Sequence, residues 1–465
     1  MAKNTLKVLT AYDEILIDEM PLATTKQAHR MLSLARKLAD DPKKRLPVPQ
    51  RIEILEKAQD ILRQRYDEIV ETSAKEGGKP FIDTQVEITR SINGFGVTKE
   101  EISKMTGTEI PMNMNQASLN RMAYTFREPI GVVVAICAFN HPFNLAVHQV
   151  LPAIAVGCPV IIKPARTTPL STINLVNILY EAGLPKEWAQ VIIANNKVSE
   201  QLVTDPRVDF LTFIGSGRVG WYLKSKVAPG VRCELEHGGA APVIVEPDAD
   251  LDDALPLMAK GGLYHAGQVC VSVQRVFAHK SITKKVANGL ARLAKKMKVG
   301  DPLDPKTEIG PLILPREVDR VHDWVKEATR RGGKLLCGGK KIGRTCYEPT
   351  IILDPPQKCN LSQHEIFGPV MAVYSYNEFD DAIKLANSLP LSFQASVFTK
   401  NIDTALDAVK RLNAKAVMVN DHTAFRVDWM PFGGNKESGL GTGGIPYSMH
   451  EMTQEKMMVI RSSVL

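Results

Sequence analysis

Four polar side chains in this sequence are of the types that covalent chemistry on a carbonyl carbon requires. Cys270 ends the run Gly-Gln-Val-Cys, and Glu236 opens Glu-His-Gly-Gly upstream of it. Asn140 lies in Ala-Phe-Asn-His-Pro, and Lys163 begins Lys-Pro-Ala. Oxidation of an aldehyde through a thioester needs a thiol nucleophile, a donor for the oxyanion, departure of a hydride and a base that activates water. Together these residues indicate that chemistry.

The case for Cys270 depends on its partners, because a lone cysteine usually packs as a small apolar residue. Cys137 and Cys158 lie in or beside apolar runs and are predicted to be structural. The amide of Asn140, with the backbone N–H of Cys270, could stabilise an oxyanion, an effect worth roughly 3–4 kcal/mol. Glu236 could activate water, and partial burial would raise its pKa toward neutrality.

Short apolar runs alternate with helical segments around these residues, which predicts parallel strands that are buried on both faces. The first section has predicted strands at 132–137, 159–163, 189–193 and 210–214 and predicted helices at 143–156, 171–182 and 197–204. The second section begins near Gly239, with predicted strands at 242–245, 273–277 and 415–420 and predicted helices from 250, at 283–298 and at 315–331. Residues 24–75 have helical spacing. We therefore expect two α/β domains with a cleft between them.

Length, charge and cysteine content narrow the class of protein. With 465 residues, 44% of them hydrophobic and 23% charged, the chain is long enough for two or three globular domains. The net charge of +7 is spread along the sequence, which favours solubility over nucleic-acid binding and gives weak support for an anionic substrate. Seven cysteines without a Cys-x-x-Cys pair predict neither a disulfide framework nor a metal site, and they fit a reducing compartment.

No segment predicts export or a membrane span. The N-terminus lacks the apolar stretch of a signal peptide, and the longest apolar run, 130–139, is about half the length that a span needs. We expect a cytoplasmic protein without a membrane or nucleic-acid partner.

A glycine-rich turn gives a cofactor signal that has two interpretations. Gly215-Ser216-Gly-Arg-Val-Gly follows a predicted strand and opens a helix, so it matches Gly-x-Gly-x-x-Gly. On its own it suggests an ordinary Rossmann dehydrogenase in which Glu234 or Glu236 binds the ribose. That interpretation is disfavoured, because at least three predicted strands precede a fingerprint that belongs on the first strand. In either case the N-terminus of a helix would face a phosphate.

The order and spacing of the motifs resemble those of the aldehyde dehydrogenase superfamily over nearly the whole chain, through Glu-Ile-Phe-Gly-Pro-Val at 365–370 and Pro-Phe-Gly-Gly at 431–434. The resemblance implies an aldehyde dehydrogenase-like α/β fold with two doubly wound α/β domains and a small oligomerisation element. It places a dinucleotide-binding domain at 1–107 and 130–238, a catalytic domain at 239–444 and the oligomerisation element at 108–129 and 445–465. A homodimer or homotetramer is expected.

The resemblance also implies roles for single residues. Cys270, Glu236 and Asn140 match the family's nucleophile, general base and oxyanion-hole amide. The cofactor would be NAD or NADP. Its predicted contacts are Lys163 at the adenosine ribose, Gly215 and Ser216 at the pyrophosphate, and Glu365 and Phe367 at the nicotinamide ribose and ring.

Arg166 bears on the choice of cofactor. It stands three residues after Lys163, where NAD-using relatives often have a glutamate for the ribose hydroxyls. An arginine can pair with a 2′-phosphate through two hydrogen bonds, which favours NADP. A solvated surface arginine is the alternative.

Departures from the family pattern bear on the substrate. The family's Glu-Leu-Gly-Gly-Lys is here Glu-His-Gly-Gly-Ala, with His237 and Ala240 at the changed positions. His237 either tunes the base or binds an anion, or it packs in place of leucine. Arg426 is a candidate for binding an anionic substrate tail, with a structural salt bridge as the alternative. The stretch 144–155 looks most like the branch that acts on lactaldehyde and on small phosphorylated, phosphono or sulfo aldehydes.

We predict an NAD(P)-dependent aldehyde dehydrogenase that converts a small or anionic aldehyde to a carboxylic acid through a cysteine thiohemiacetal and thioester. The nearest alternative is a CoA-acylating dehydrogenase, which the retention of Glu236 disfavours. A cysteine hydrolase lacks support because no histidine motif accompanies Cys270. A catalytically silent relative would be expected to have lost the nucleophile or the base.

Overall fold

The computed structural model describes residues 5–465 and places most of their strands in two large sheets, with a smaller sheet and short hairpins beside them. Among these residues, none of the helices combines the length and the apolar character that spanning a membrane requires.

The first large sheet contains the predicted strands of the first section. Neighbouring strands are parallel except at one edge. Successive side chains of Val133–Ile136 enter two different cores: Val133 and Ala135 pack in one, and Val134 and Ile136 pack in the other. Burial on both faces explains why these strands read as continuous apolar runs. In spatial order the strands are Gly439–Leu440, Arg232–Glu236, Phe210–Ile214, Val133–Ile136, Val160–Lys163 and Ala189–Val191.

Helices cover both faces of this sheet and begin at residues that suit helix starts. Pro142–Val156 and Pro169–Glu181 have proline in the first turn, and Asn195 caps Asn196–Val203 by accepting the N–H of Val198. The predictions of these three helices are confirmed to within a few residues. The other helices of this half are Thr25–Asp40, Val48–Gln64, Tyr66–Gly77, Phe81–Ile102, Gly217–Lys224 and Ile445–Glu451.

The second large sheet is also mainly parallel, which confirms the prediction of an α/β fold with two such sheets. In spatial order its strands are Lys334–Cys337, Thr350–Leu353, Val370–Tyr376, Arg275–His279, Pro242–Val245, Gln394–Phe398 and Ala416–Val419. Its helices are Leu251–Leu263, Thr283–Ala294, Pro315–Arg330, Asn360–Gln363, Phe379–Ala386 and Ile402–Arg411. The helix predicted at 283–298 ends at Ala294, because the chain turns there to form a bridge between Val299 and Ile309.

A small antiparallel sheet joins two distant parts of the chain. Thr453–Arg461 pairs along its length with Arg121–Pro129, which also pairs with Glu109–Ile110. These strands lie in the segments predicted to form the oligomerisation element; that role and the domain boundaries stay predictions. Other short antiparallel pairs are Thr5–Leu9 with Leu16–Pro21, Lys341–Ile342 with Cys346–Tyr347, and Leu391–Ser392 with Asn435–Lys436.

The helix Phe81–Ile102, which no sequence pattern had indicated, fixes the start of a neighbouring helix. Its Glu87 is buried beside Lys79 and accepts the backbone N–H groups of Phe143 and Asn144 at 3.0 Å each. A carboxylate at a helix N-terminus satisfies donors that would otherwise be unpaired, and it interacts favourably with the helix dipole. The buried ion pair of Glu87 and Lys79 therefore holds in place the loop that precedes the helix Pro142–Val156.

Candidate active site

A cavity of about 940 Å³ lies where the carboxyl ends of strands in the first sheet face the second half of the chain. The N-terminal hairpin, from Leu6 to Glu14, contributes part of its wall. Parallel strands end at one edge of their sheet, so motifs that are distant in sequence meet there. The residues predicted to act on the substrate or to bind the cofactor all line this cavity: Asn140, Lys163, Arg166, Gly215, Ser216, Glu236, Cys270, Glu365 and Phe367.

A tight turn brings Cys270 to the cavity. The three residues from His265 to Gly267 have positive φ angles of 48°, 54° and 68°, a conformation that is unfavourable for residues with a β-carbon. At Gly267 a β-carbon would lie 2.2 Å from the carbonyl oxygen of Gly368, so this position requires glycine. The turn therefore places the thiol by a backbone geometry that the surrounding structure must hold.

Asn140 is anchored to the same turn. Its Nδ2 donates a hydrogen bond of 2.9 Å to the carbonyl oxygen of Gln268, two residues before the thiol. Gln268 is itself fixed, because its side chain donates to the carbonyls of His265 and Pro311 and accepts the N–H of Ile313. The amide and the backbone next to the thiol are thus positioned relative to each other, as an oxyanion site requires.

Glu236 ends its strand inside the cavity and is 6% exposed. Burial raises its pKa, while the charges of Arg426 and Lys415 lower it in part. Burial, and then the charge of Glu236, raises the pKa of the Cys270 thiol well above its ordinary value. The cavity therefore holds a thiol that is protonated at neutral pH and a carboxyl group whose pKa is moved toward that of a useful base.

Arg426 is the cation nearest to this base. Its guanidinium lies 3.6 Å from the centre of the Phe432 ring, and its Nη1 is 4.0 Å from Oε1 of Glu236. Its Nη2 is 3.5 Å from Nδ1 of His148. Although the side chain is only 10% exposed, its Nε has no hydrogen-bond partner among the described residues. A structural salt bridge to Glu236 would therefore explain the position of Nη1 but not the unpartnered Nε of Arg426.

Asp428 organises the polar groups behind Arg426, and no motif had pointed to it. It accepts hydrogen bonds from Arg90 at 2.6 Å, His148 at 2.8 Å and Asn144 at 3.2 Å. Burial and the nearby charge of Arg426 lower the pKa of His148 to about 4, so this ring is neutral near pH 7. Asn144 and His148 stand one helical turn apart, a spacing that could have indicated a shared partner. Arg90, which also lines the cavity, had no signal in the sequence.

His237 packs beneath the glycine-rich turn. Its ring lies edge-on to those of Phe213 and Trp221, with centroids at 5.6 and 5.5 Å, and its Nδ1 is 3.1 Å from the carbonyl oxygen of Gly215. A β-carbon at Gly220 would lie 1.9 Å from the imidazole, so the helix beside it approaches closely. Burial lowers the pKa of His237 and disfavours a cationic ring. Of the interpretations open for His237, the structure favours packing in place of leucine.

Two cations stand together at another part of the cavity. Lys163 ends its strand with its amine largely buried, and burial together with the charge of Arg166 lowers the pKa of Lys163 to about 8. Arg166 is exposed. Within the described chain, neither side chain has a carboxylate within 4.0 Å. A pair of unneutralised cations suits an anionic or hydroxyl-rich ligand.

The lining residues fit a dinucleotide. The helix Gly217–Lys224 starts directly after Ser216, which lines the cavity, and the N-terminus of a helix suits a phosphate. Glu365 accepts the N–H of Gly239 at 3.1 Å, and a β-carbon at Gly238 would overlap its carboxyl group. Phe367, with a positive φ of 47°, presents its ring near that of Phe139. Donors, cations, a carboxyl group and an aromatic ring thus follow one another along one cavity.

Known proteins are similar to this chain over nearly its whole length. The model of the aldehyde dehydrogenase family matches residues 1–458. A 3-sulfolactaldehyde dehydrogenase from Priestia aryabhattai is 37% identical over 457 residues, which cover 98% of this chain and 94% of that protein. Aldehyde dehydrogenase 21 from Physcomitrella patens, solved in complex with the reaction product succinate, has a TM-score of 0.95 at 36% identity and covers 99% of this chain and 96% of its own.

A glyceraldehyde-3-phosphate dehydrogenase from Methanocaldococcus jannaschii, solved with NADP, has a TM-score of 0.94 at 33% identity and covers 99% of this chain and 100% of its own. The chain belongs to the aldehyde dehydrogenase family. It is an NAD(P)-dependent aldehyde dehydrogenase that oxidises an aldehyde to a carboxylic acid.

Proposed function

We propose that Cys270, Asn140 and Glu236 are the groups that carry out this oxidation. The sulfur of Cys270 bonds to the carbonyl carbon, and the amide of Asn140 with the N–H of Cys270 donates to the resulting oxyanion. Bound NAD(P) supplies the hydride acceptor. Glu236 then takes a proton from the water that cleaves the thioester. The observation that carries this proposal is the hydrogen bond from Asn140 to the backbone beside Cys270, in a cavity that Glu236 also lines.

The electrostatics of the cavity support a shared role for the thiol and the carboxyl group. Glu236 is buried and Cys270 is half-buried, and burial disfavours the charged form of each. The charge of Glu236 raises the pKa of the thiol, and therefore proton transfer from Cys270 to Glu236 would remove that repulsion. Such a pair titrates as a unit, so the charge state of each group depends on that of the other.

For the substrate, we propose a small aldehyde with an anionic group, bound by Arg426 with Arg90 behind it. Arg426 is buried in the cavity lining with an unpartnered Nε, and such a donor is costly unless a ligand satisfies it. The neutral ring of His148 and the carboxylate of Asp428 hold both arginines in place. Two relatives are named for 3-sulfolactaldehyde and for glyceraldehyde 3-phosphate, and these names support an anionic aldehyde as the substrate.

For the cofactor, we propose NADP in preference to NAD. Arg166 and Lys163 face the cavity together without a carboxylate to neutralise them, and a 2′-phosphate would supply that charge. A solved relative is complexed with NADP.

We further propose that the chain forms a homodimer or homotetramer through the small sheet, with 1–107 and 130–238 as the dinucleotide-binding domain and 239–444 as the catalytic domain. Thr453–Arg461 is an edge strand, and Met457, Met458, Val459 and Ile460 on it are exposed. A long apolar edge strand favours association with another chain. A second copy of this chain is the occupant we propose.

Replacing the sulfur and the carboxylate separates the two chemical steps. Cys270→Ala should abolish dehydrogenase activity, while Cys233→Ala, at a half-buried cysteine outside the cavity, should retain it. Glu236→Gln should retain a first turnover of NAD(P)H but slow hydrolysis of the acyl adduct on Cys270 about 100-fold or more. The adduct is followed by intact-mass spectrometry of quenched reactions. Unchanged turnover in Cys270→Ala would refute the assignment, and release of the adduct by coenzyme A would favour an acylating enzyme.

The substrate proposal is tested with two aldehydes of equal length, one with a terminal anionic group and one without. Arg426→Met should lower kcat/KM for the anionic aldehyde by about 10- to 100-fold, because hydrogen bonds to a charged group contribute roughly 1.5–3 kcal/mol. The neutral aldehyde should be much less affected near pH 8. Equal losses on both aldehydes would contradict the proposal.

The same variant has a predicted effect on pH dependence. The charge of Arg426 lowers the pKa of Glu236, so its removal raises that pKa. A base loses activity as pH falls through its pKa. The acid limb of kcat for the neutral aldehyde should therefore move to higher pH in Arg426→Met.

Arg166→Gln should raise the KM for NADP about tenfold, in line with the loss of a charge-assisted hydrogen bond, and should leave the KM for NAD nearly unchanged. Arg30→Gln, at an exposed arginine outside the cavity, is the matched control and should change neither value. Equal changes in both KM values would remove the argument for NADP.

The proposed assembly is tested by light scattering after size exclusion. The wild type should have the mass of two or four chains. Met458→Lys combined with Ile460→Lys should reduce that mass, because two charges are placed on the apolar edge. Val464→Lys, at an exposed residue beyond the strand, should not change it. A monomeric wild type would refute the proposal.

A further inference from the structure

A second buried carboxyl group lies directly behind Glu236. Glu234 stands two residues earlier on the strand Arg232–Glu236, so both side chains project from the same face of the strand. They are 8% and 6% exposed. A β-carbon at Gly443 would lie 3.1 Å from Oε1 of Glu234 and 3.3 Å from Oε2 of Glu236. The two carboxyl groups therefore flank one glycine backbone, about two hydrogen-bond lengths apart or less.

The hydrogen-bonding capacity of the Glu234 carboxyl group is only partly used, unlike that of a buried carboxyl group with a purely structural role. Its Oε1 accepts a hydrogen bond of 3.2 Å from the hydroxyl of Ser448, whereas its Oε2 is buried and has no partner within the part of the chain that is described. Burial, and then the negative charge of Glu236, raises the pKa of Glu234 to about 8. A carboxyl group in this environment holds a proton near neutral pH and can exchange it.

A path leads from Glu234 away from the substrate cavity. Among the described residues, 5–465, Glu234 is not one of those that line the cavity. Its side chain faces the segment 441–444 instead. There Lys415 donates hydrogen bonds to the carbonyl oxygen of Gly441 and, at 2.7 Å, to the hydroxyl of Thr442. Gly441, Thr442 and Lys415 are all partly exposed. Partly exposed polar groups therefore lie beside the segment that the buried carboxyl group faces.

The charges that face Glu234 come from three elements. Glu236 on the same strand and Glu451 on the helix Ile445–Glu451 raise its pKa, and Lys415 lowers it. Ser448 on that helix also lowers it by donating a hydrogen bond. The neighbouring strand Phe210–Ile214 places the uncharged Thr212 opposite Glu234.

Hydrolysis of the thioester releases a proton that has to leave this enclosed site. Water adds its oxygen to the acyl carbon, the carbon–sulfur bond breaks, and the products are a carboxylate, a thiol and one proton beyond the thiol. Glu236 receives that proton and can return it to the tetrahedral intermediate, so hydrolysis goes to completion only as Glu236 passes the proton on. With substrate and cofactor in the cavity, a route through Glu234, which does not line that cavity, would remain open.

We propose that Glu234 accepts the proton from Glu236 and passes it toward Lys415, Thr442 and solvent. This inference rests on the proposed role of Glu236 as the base. Glu234 acts through Glu236 and does not touch the substrate. The position of the two carboxyl groups around Gly443, with an unpartnered oxygen on Glu234, is the juxtaposition that supports it.

The test is Glu234→Gln, which preserves shape and can still bond to Ser448 but cannot relay a proton. The first turnover of NAD(P)H should be unchanged. Decay of the acyl adduct on Cys270, followed by quenched intact-mass spectrometry, should slow about tenfold or more, with a larger solvent deuterium isotope effect. An amide at 234 does not repel the charge of Glu236, so slower decay could not arise from a less ionised base.

Two further variants keep the test decisive. Ser448→Ala removes the hydrogen-bond donor but leaves the carboxyl group, so its decay rate should stay within about twofold of the wild type. Glu234→Asp should restore part of the lost rate, and it replaces Glu234→Gln as the deciding variant if the glutamine variant does not fold. Wild-type decay in Glu234→Gln, or equal slowing in Ser448→Ala, would overturn the relay.

The relay and the base assignment fail in different ways. If Glu236→Gln slows decay and Glu234→Gln does not, the relay alone is wrong. If Glu236→Gln decays at the wild-type rate, the base assignment is wrong and the relay is wrong with it.

Discussion

The burial of charged groups is the constraint on which the rest of this site depends. Cys270, Glu236 and Arg426 share one cavity and are all largely buried, so the charge of each is costly unless another group compensates it. Burial raises the pKa of the thiol and of the carboxyl group, and Arg426 opposes both shifts. The chemistry of the site is therefore a property of the group of charges rather than of any single residue.

The fold meets this constraint by bringing strand ends together. Lys163 and Glu236 end two parallel strands of one sheet, and the loops after the two strands between them present Asn140 and Gly215 at the same edge. Ligands bind at the carboxyl ends of strands in open α/β sheets for this reason. The thiol comes from the other half of the chain, on a turn with three successive positive φ angles. Closing the cavity thus requires both sheets to be formed.

The sequence predicted strands, and residues that line the cavity, where a motif residue stands next to an apolar run. The buried strands were predictable because burial on both faces gives continuous apolar runs, and the motif residues were predictable because each stands beside such a run. Helix 81–102 was not predicted, because its buried face includes polar residues such as Glu87, which caps another helix instead of facing solvent. Arg90 and Asp428 were missed for a related reason: their partners are distant in the chain.

What the sequence indicated by itself is the class of reaction and the two-sheet fold, because its motifs resemble those of one family and its apolar runs alternate with helical segments. What only the tertiary structure decided is how those groups are charged and supported. The packing of His237, the unpartnered Nε of Arg426 and the position of Glu234 behind Glu236 depend on contacts between remote segments. Burial and pairing set the cost of a charge, and both are properties of the folded chain.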